Sequence, residues 1–137
     1  MLELIATVEQ LEKEAKEIEG FLEITCSDDL DEIVERGNAL SVYISRTSKM
    51  LADAGYHRDK AVSESIILEL GKSAGIAPSV LNKLVDATCK RENYLYKWTE
   101  RLNATVTHQL DWLRSLVSKA KEEMRLSSGV SGQAPRY

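Results

Sequence analysis

Apolar residues recur along this chain at alternating intervals of three and four. In the last third Val106, Leu110, Leu113, Val117, Ala120 and Met124 are spaced 4, 3, 4, 3, 4, the signature of a heptad seam. Near the start Leu4, Val8, Leu11, Ala15, Ile18 and Leu22 repeat those intervals, with mostly Glu and Lys between them. A middle stretch continues in kind through Leu30, Ile33, Gly37, Leu40, Ile44, Thr47, Leu51 and Ala54. At 3.6 residues per turn each set falls on one face of a helix. No stretch alternates convincingly with the period of two that a strand requires. The predicted fold is all-α: an elongated helical bundle or coiled coil with a long C-terminal helix.

Breaker residues divide the pattern. An acidic helical arm is expected over residues 1–24, a helical core over 27–126 and a flexible tail over 127–137. Ser27, Asp28 and Asp29 form a helix start, a hydroxyl to cap and two acids in the first turn. The core opens with a kinked helix over 28–70, the kink at Gly55. Gly71 and Gly75 then make a break over 71–77, and Pro78 suits the first position of the next helix. From Pro78 to Leu126 there is no Gly or Pro, so a single helix of roughly 70 Å is predicted. The last residues, rich in Ser and Gly with Pro135, read as flexible by composition.

Charge changes this picture. The net charge of −4 hides an imbalance: residues 1–36 hold 3 basic and 12 acidic groups, net −9, and residues 37–137 hold 15 and 10, net +5. The acidic front can lie against the basic body, within one chain or between subunits. Aromatic content of 6% and charged content of 29% suit long helices. A chain of this shape buries little of itself, so association with other copies is expected, with the C-terminal seam Val106, Leu110, Leu113, Val117, Ala120 and Met124 as the assembly surface. No apolar run approaches the roughly 18 residues of a membrane span. The amphipathic, acidic start lacks the features of a signal peptide, which points to the cytoplasm. Cys26 and Cys89 have no ligand-like spacing and are expected to be reduced thiols.

Catalytic chemistry finds little to work with. Gly71-Lys72-Ser73 mimics the end of a phosphate-binding loop, but Ile66 stands where that pattern needs Gly, and no strand precedes it. His57 and His108 have no recognisable partners for nucleophilic catalysis or zinc binding. The expectation is a protein that is not an enzyme and holds no metal or cofactor.

The stretch Cys89–Leu102 stands apart. Lys90, Tyr94, Lys97 and Arg101 share one helical stripe at 4-3-4 spacing, beside a second row of Arg91, Leu95, Trp98 and Leu102 that looks core-facing. Cations with an interleaved ring suit single-stranded nucleic acid, because cations meet phosphates and rings stack on bases. Lys49 on the middle helix is a fifth candidate contact. The other reading of the stripe is packing of Tyr94 and Trp98 on neighbouring helices, with the basic groups solvated or paired with the acidic first helix.

In layout the chain resembles the UvsY family of phage recombination mediators. The resemblance rests on Leu40-Ser41-Val42-Tyr43-Ile44-Ser45-Arg46-Thr47-Ser48-Lys49 and on the run from Arg91 through Ser115, about a quarter of the chain, together with a kinked middle helix, a Gly-containing break and a long last helix. It implies a ring-forming homo-oligomer, commonly a hexamer, that binds single-stranded DNA and helps load a recombinase in place of a single-strand binding protein. The acidic arm would then have to sit away from the DNA, since phosphate neutralisation dominates such affinity. Two other readings are a structural or adaptor coiled coil, as in phage assembly, and a module that sequesters a basic partner with residues 1–36.

Overall fold

The structure, a computed structural model, describes residues 4–132, the side chains of 129–132 excepted. It is all-α, with five helices among the described residues: α1 Val8–Leu22, α2 Leu30–Ser63, α3 Ile66–Ala74, α4 Pro78–Thr88 and α5 Lys90–Gly132. None of the described helices is long and apolar enough to cross a membrane.

The centre is a three-helix bundle. Helices α2 and α5 run antiparallel, because Arg36 bonds Gln109, Thr47 meets Asn103 and Arg58 covers the Tyr96 ring. Helix α1 lies alongside, parallel to α5, with Glu12 against Arg91 at one end and the Leu22 carbonyl against Gln109 at the other. The core takes Leu11, Ala15, Ile18 and Leu22 from α1, Ile33, Leu40, Met50 and Ala54 from α2, and Leu95, Leu102, Val106, Leu110 and Leu113 from α5. It follows the apolar intervals of the sequence except that Met50 is buried in place of half-buried Leu51, and Leu4 and Leu30 are exposed. Each fully buried Leu or Ile stabilises by about 2 kcal/mol. A polar layer crosses this core, where buried Thr47 donates to the Tyr43 carbonyl and accepts from Asn103 Nδ2 at 2.9 Å.

Helix α1 is therefore part of the core and not an arm. Thr7 caps it and exchanges side-chain bonds with Gln10 in a capping box, and Gly20 stays inside the helix. The acidic front meets the basic body within one chain. Arg91 reaches Glu12 at 2.5 Å and Glu9 at 3.4 Å, and Arg46 holds Glu14 through two bonds of 2.7 Å. The Arg91 hydrogen bond holds the Glu12 carboxyl below its ordinary value of 4.5, with burial opposing it and the Arg91 charge adding a lesser pull in the same direction. That contribution to α1 docking is complete above the ordinary value and is lost as pH falls through the lowered one.

The chain ahead of α1 is tied down as well. Buried Asp53 accepts from the Ala6 amide at 3.1 Å, Lys49 bridges Asp53 and the Leu4 carbonyl, and His57 Nε2 donates to the Ala6 carbonyl at 2.6 Å. At the other end of α1, Arg36 and Gln109 both donate to the Leu22 carbonyl, while the Arg36 guanidinium lies 4.2 Å over the Phe21 ring.

Several sequence-based boundaries are corrected. The middle helix continues without interruption through Gly55, where the Tyr96 ring lies 3.4 Å from the place a Gly55 Cβ would take. The break comes at Glu64–Ser65, leaving α3 as a separate element. Helix α2 starts two residues later than Ser27 implies, with Asp29 at the cap and Asp31 and Glu32 in the first turn. Ser27 instead accepts from the Asp29 amide and donates to Glu32.

The predicted helix over 78–126 is two helices, interrupted at Cys89, whose φ and ψ of −109° and 34° leave the helical region. The Thr88 hydroxyl donates to the Val85 carbonyl, a local bond that competes with the helix ladder. The Cys89 side chain turns into a second small core with Leu81 and Val85, under Ala61, Val62, Ile67 and Leu68. This core joins α3 and α4 as a hairpin at the far end of the bundle. Gly75 ends α3 at a positive φ of 69°, Ile76 N donates to the Gly71 carbonyl, and Pro78 opens α4, a Gly-then-Pro turn. Helix α5 extends to Gly132, past the predicted start of the tail; residues 133–137 lie outside the described residues.

Candidate nucleic-acid interface

The start of α5 puts two rows of side chains side by side. Leu95, Thr99 and Leu102 point into the core and are buried. One step round the helix, Tyr94, Lys97 and Arg101 point outward with Lys90 one turn earlier, and Tyr94 is 68% exposed. Trp98 sits half-buried between the rows, its ring 5.9 Å from that of Tyr94 at an interplanar angle of 60°. Buried Leu95 and Leu102 anchor the helix, so this row is held on a rigid element.

Two hollows meet at Tyr94 and Lys97. One, of about 470 Å³, runs between α5 and the end of α1; Tyr94, Lys97, Trp98 and Arg101 form its α5 wall, and Glu19, Leu22 and Glu23 face them. The other, of about 400 Å³, is lined by Arg58, Asp86, Lys90, Asn93, Tyr94 and Lys97. Together they make a shallow track along the first turns of α5. Lys90, Lys97 and Arg101 make no ion pair among the described residues. By contrast, Arg46, Lys49, Arg91, Arg114 and Arg125 are all paired. Two polar atoms beside the track, Trp98 Nε1 and Asn93 Oδ1, are buried without a hydrogen-bond partner among the described residues, a condition that native proteins keep rare.

Of the five sequence candidates, four come together. Lys90, Tyr94, Lys97 and Arg101 line the same track. Lys49 does not join them, because its ammonium bridges Asp53 and the Leu4 carbonyl at 2.6 and 2.7 Å; that is a structural clasp on the chain ahead of α1. Arg58 replaces it, lining the second hollow with its guanidinium 4.9 Å from the centre of the Tyr96 ring. No sequence signal marks Arg58, since only the antiparallel crossing of α2 and α5 brings it to the stripe.

The candidate assembly seam fares differently. Val106, Leu110 and Leu113 are buried in the chain's own core, and Val117 packs against its edge. Ala120 is half-buried and Met124 is 60% exposed. Most of the row expected to meet other copies is already filled by α1 and α2, so at most its last turns are open to a partner.

The carboxylates of Glu19 and Glu23 on the opposite wall bear on any anionic ligand. Lining the same groove, they repel a phosphate that comes within the roughly 10 Å screening length of 0.1 M salt on the α1 side. Neutralising both, as Glu19→Gln with Glu23→Gln, is expected to tighten binding of an oligodeoxythymidylate about 3- to 10-fold, measured by anisotropy. Weakened or unchanged binding would place the strand elsewhere.

Among the described residues no group of three or more His, Cys, Asp or Glu side chains is placed to hold a metal ion. Both cysteines are free thiols, Cys26 exposed and Cys89 buried. Comparison with protein-family models, with curated proteins and with solved structures finds no match to this chain.

Proposed function

We propose that this chain is a non-enzymatic, self-associating helical protein that binds single-stranded DNA along the outer face of α5. The observation that supports the reading is the row Lys90, Lys97 and Arg101, without an ion pair among the described residues, around an exposed Tyr94. Unpaired cations at a groove are available to phosphates, and an exposed ring on a rigid helix is available to a base. Double-stranded DNA offers the ring no base face, so single strands are the better ligand. The row spans about 16 Å of helix, enough for a few nucleotides, the low end of single-strand site sizes. The further role, as an accessory that helps load a recombinase, comes from the resemblance in residues 40–49 and 91–115.

Three phosphate contacts to a single strand give log K against log salt a slope of about −2. Anisotropy of a labelled oligodeoxythymidylate is thus expected to show binding at about 50 mM salt that weakens roughly 20-fold by 200 mM. A matched duplex should bind more weakly at every salt concentration. Equal affinity for the duplex, or no binding at the low salt, removes the reading. A structural or adaptor protein is the second reading, and the exposed aliphatic surface of α3 and α4 favours it. It predicts assemblies whose mass by light scattering is indifferent to added DNA.

A further inference from the structure

The hairpin of α3 and α4 is small, yet it shows solvent an unusual amount of aliphatic surface. Its inner contact is fixed by Gly71, where an added Cβ would lie 2.1 Å from Leu81 Cδ1, and by Ile67 and Val85 in the small core. In an antiparallel helix pair, the residues one position before the contact positions of both helices come out on the same side. That geometry puts Ile66, Leu70 and Ala74 of α3 beside Val80, Leu84 and Ala87 of α4 on one face. All six are exposed, Ile66 at 68%, Leu70 at 61%, Val80 at 50% and Leu84 at 41%. The intervals along the two helices are 4-4 and 4-3, so the stripe is continuous over two turns, and it carries no charged side chain.

We infer that this face is the surface through which two copies of the chain pair, hairpin against hairpin, into a four-helix core. Two layers of helix packed around one apolar interior make a stable helical arrangement, and each hairpin supplies one layer. The six residues expose roughly 500 Å², in the range of the largest apolar patches that monomers carry, which are often functional. Doubled by a two-fold axis, that comes to roughly 1,000 Å², the lower bound for a specific interface, before the flanking side chains are counted. A two-fold contact sets each patch against itself. For a chain of net charge −4 an uncharged stripe is the surface that meets its copy without like-charge repulsion. Ala74 and Ala87 let the helices approach closely.

The inference deepens the proposed self-association, moving it from the α5 seam to the hairpin, and it is independent of the DNA contacts. Light scattering on the full chain tests it, comparing the native sequence, Leu70→Glu with Leu84→Glu, and Ala120→Glu with Met124→Glu. The native chain and the α5 variant are expected to run as oligomers, and the hairpin variant as a 15.3 kDa monomer of unchanged helical circular dichroism. As a second arm, Leu84→Cys in a Cys26→Ser background is expected to give a covalent dimer with a bismaleimide, and Met124→Cys is not. A hairpin variant that keeps its mass while the α5 variant falls apart overturns the inference and returns assembly to the α5 seam. A native chain that is monomeric at about 100 µM overturns it together with self-association. DNA binding by the hairpin variant at low salt reports separately on the α5 stripe.

Discussion

Replacing Lys97 and Arg101 together by glutamate is expected to lower the affinity for an oligodeoxythymidylate about 100-fold at 0.1 M salt. Each lost phosphate contact removes roughly a factor of 5 at that salt, and reversal of sign adds repulsion worth about a further factor of 2 at each position. Both side chains are exposed and unpaired among the described residues, so the substitutions leave the core untouched and circular dichroism should not change. The control is Lys119→Glu with Lys121→Glu, which alters net charge by the same amount further along α5. Those positions lie beyond the track, and the expected loss is under about 3-fold, the part that net charge alone contributes. Equal losses in the two double variants would reduce the interaction to general attraction between a basic helix and a polyanion. The slope against salt should fall by about 1.4 in the Lys97/Arg101 variant.

The second large effect concerns α1. Replacing Leu11 by Ala is expected to cost about 3 kcal/mol and lower the melting temperature by roughly 10 °C. Leu11 is 0% exposed in the main core, and truncation leaves a cavity between α1 and its neighbours. Were α1 a solvated arm, the same change would be nearly neutral, since Ala is an excellent helix former. Thermal unfolding followed by circular dichroism separates the two outcomes.

Comparison of pattern and structure shows what a helical sequence does and does not determine. The apolar intervals marked the core residues well: Leu11, Ala15, Ile18, Ile33, Leu40, Val106 and Leu110 are all buried. Helical periodicity says which face is apolar, but not what covers it. The row from Val106 to Leu113 reads the same whether it meets another copy or this chain's own helices, and here it meets its own. Charge asymmetry was a better guide to α1, whose Glu9, Glu12 and Glu14 find Arg91 and Arg46 within the chain. Such exposed pairs contribute little to stability individually, so they orient α1 while Leu11 and Ile18 hold it.

Breaks were harder to place. Gly55, the expected kink, lies within an unbroken helix, against the Tyr96 ring. The interruption at Cys89 arises from packing into the small core, a tertiary preference that local composition does not carry. The stripe Lys90, Tyr94, Lys97 and Arg101 was legible, because it needs only the 4-3-4 interval of one helix. Lys49 and Arg58 exchanged roles for the opposite reason. What they face depends on the crossing of α2 over α5 and on the chain ahead of α1, to whose Leu4 carbonyl Lys49 donates.

The central claim is that single-stranded DNA lies across Tyr94 and Trp98. The chain has two tryptophans, so Trp112→Phe leaves Trp98 as the only indole, at the wall of the groove and 5.9 Å from the Tyr94 ring. Titration of that variant with an oligodeoxythymidylate at about 50 mM salt should change the Trp98 emission saturably, and raising the salt should reverse the change. An emission that stays constant while the labelled strand is demonstrably bound would contradict the account.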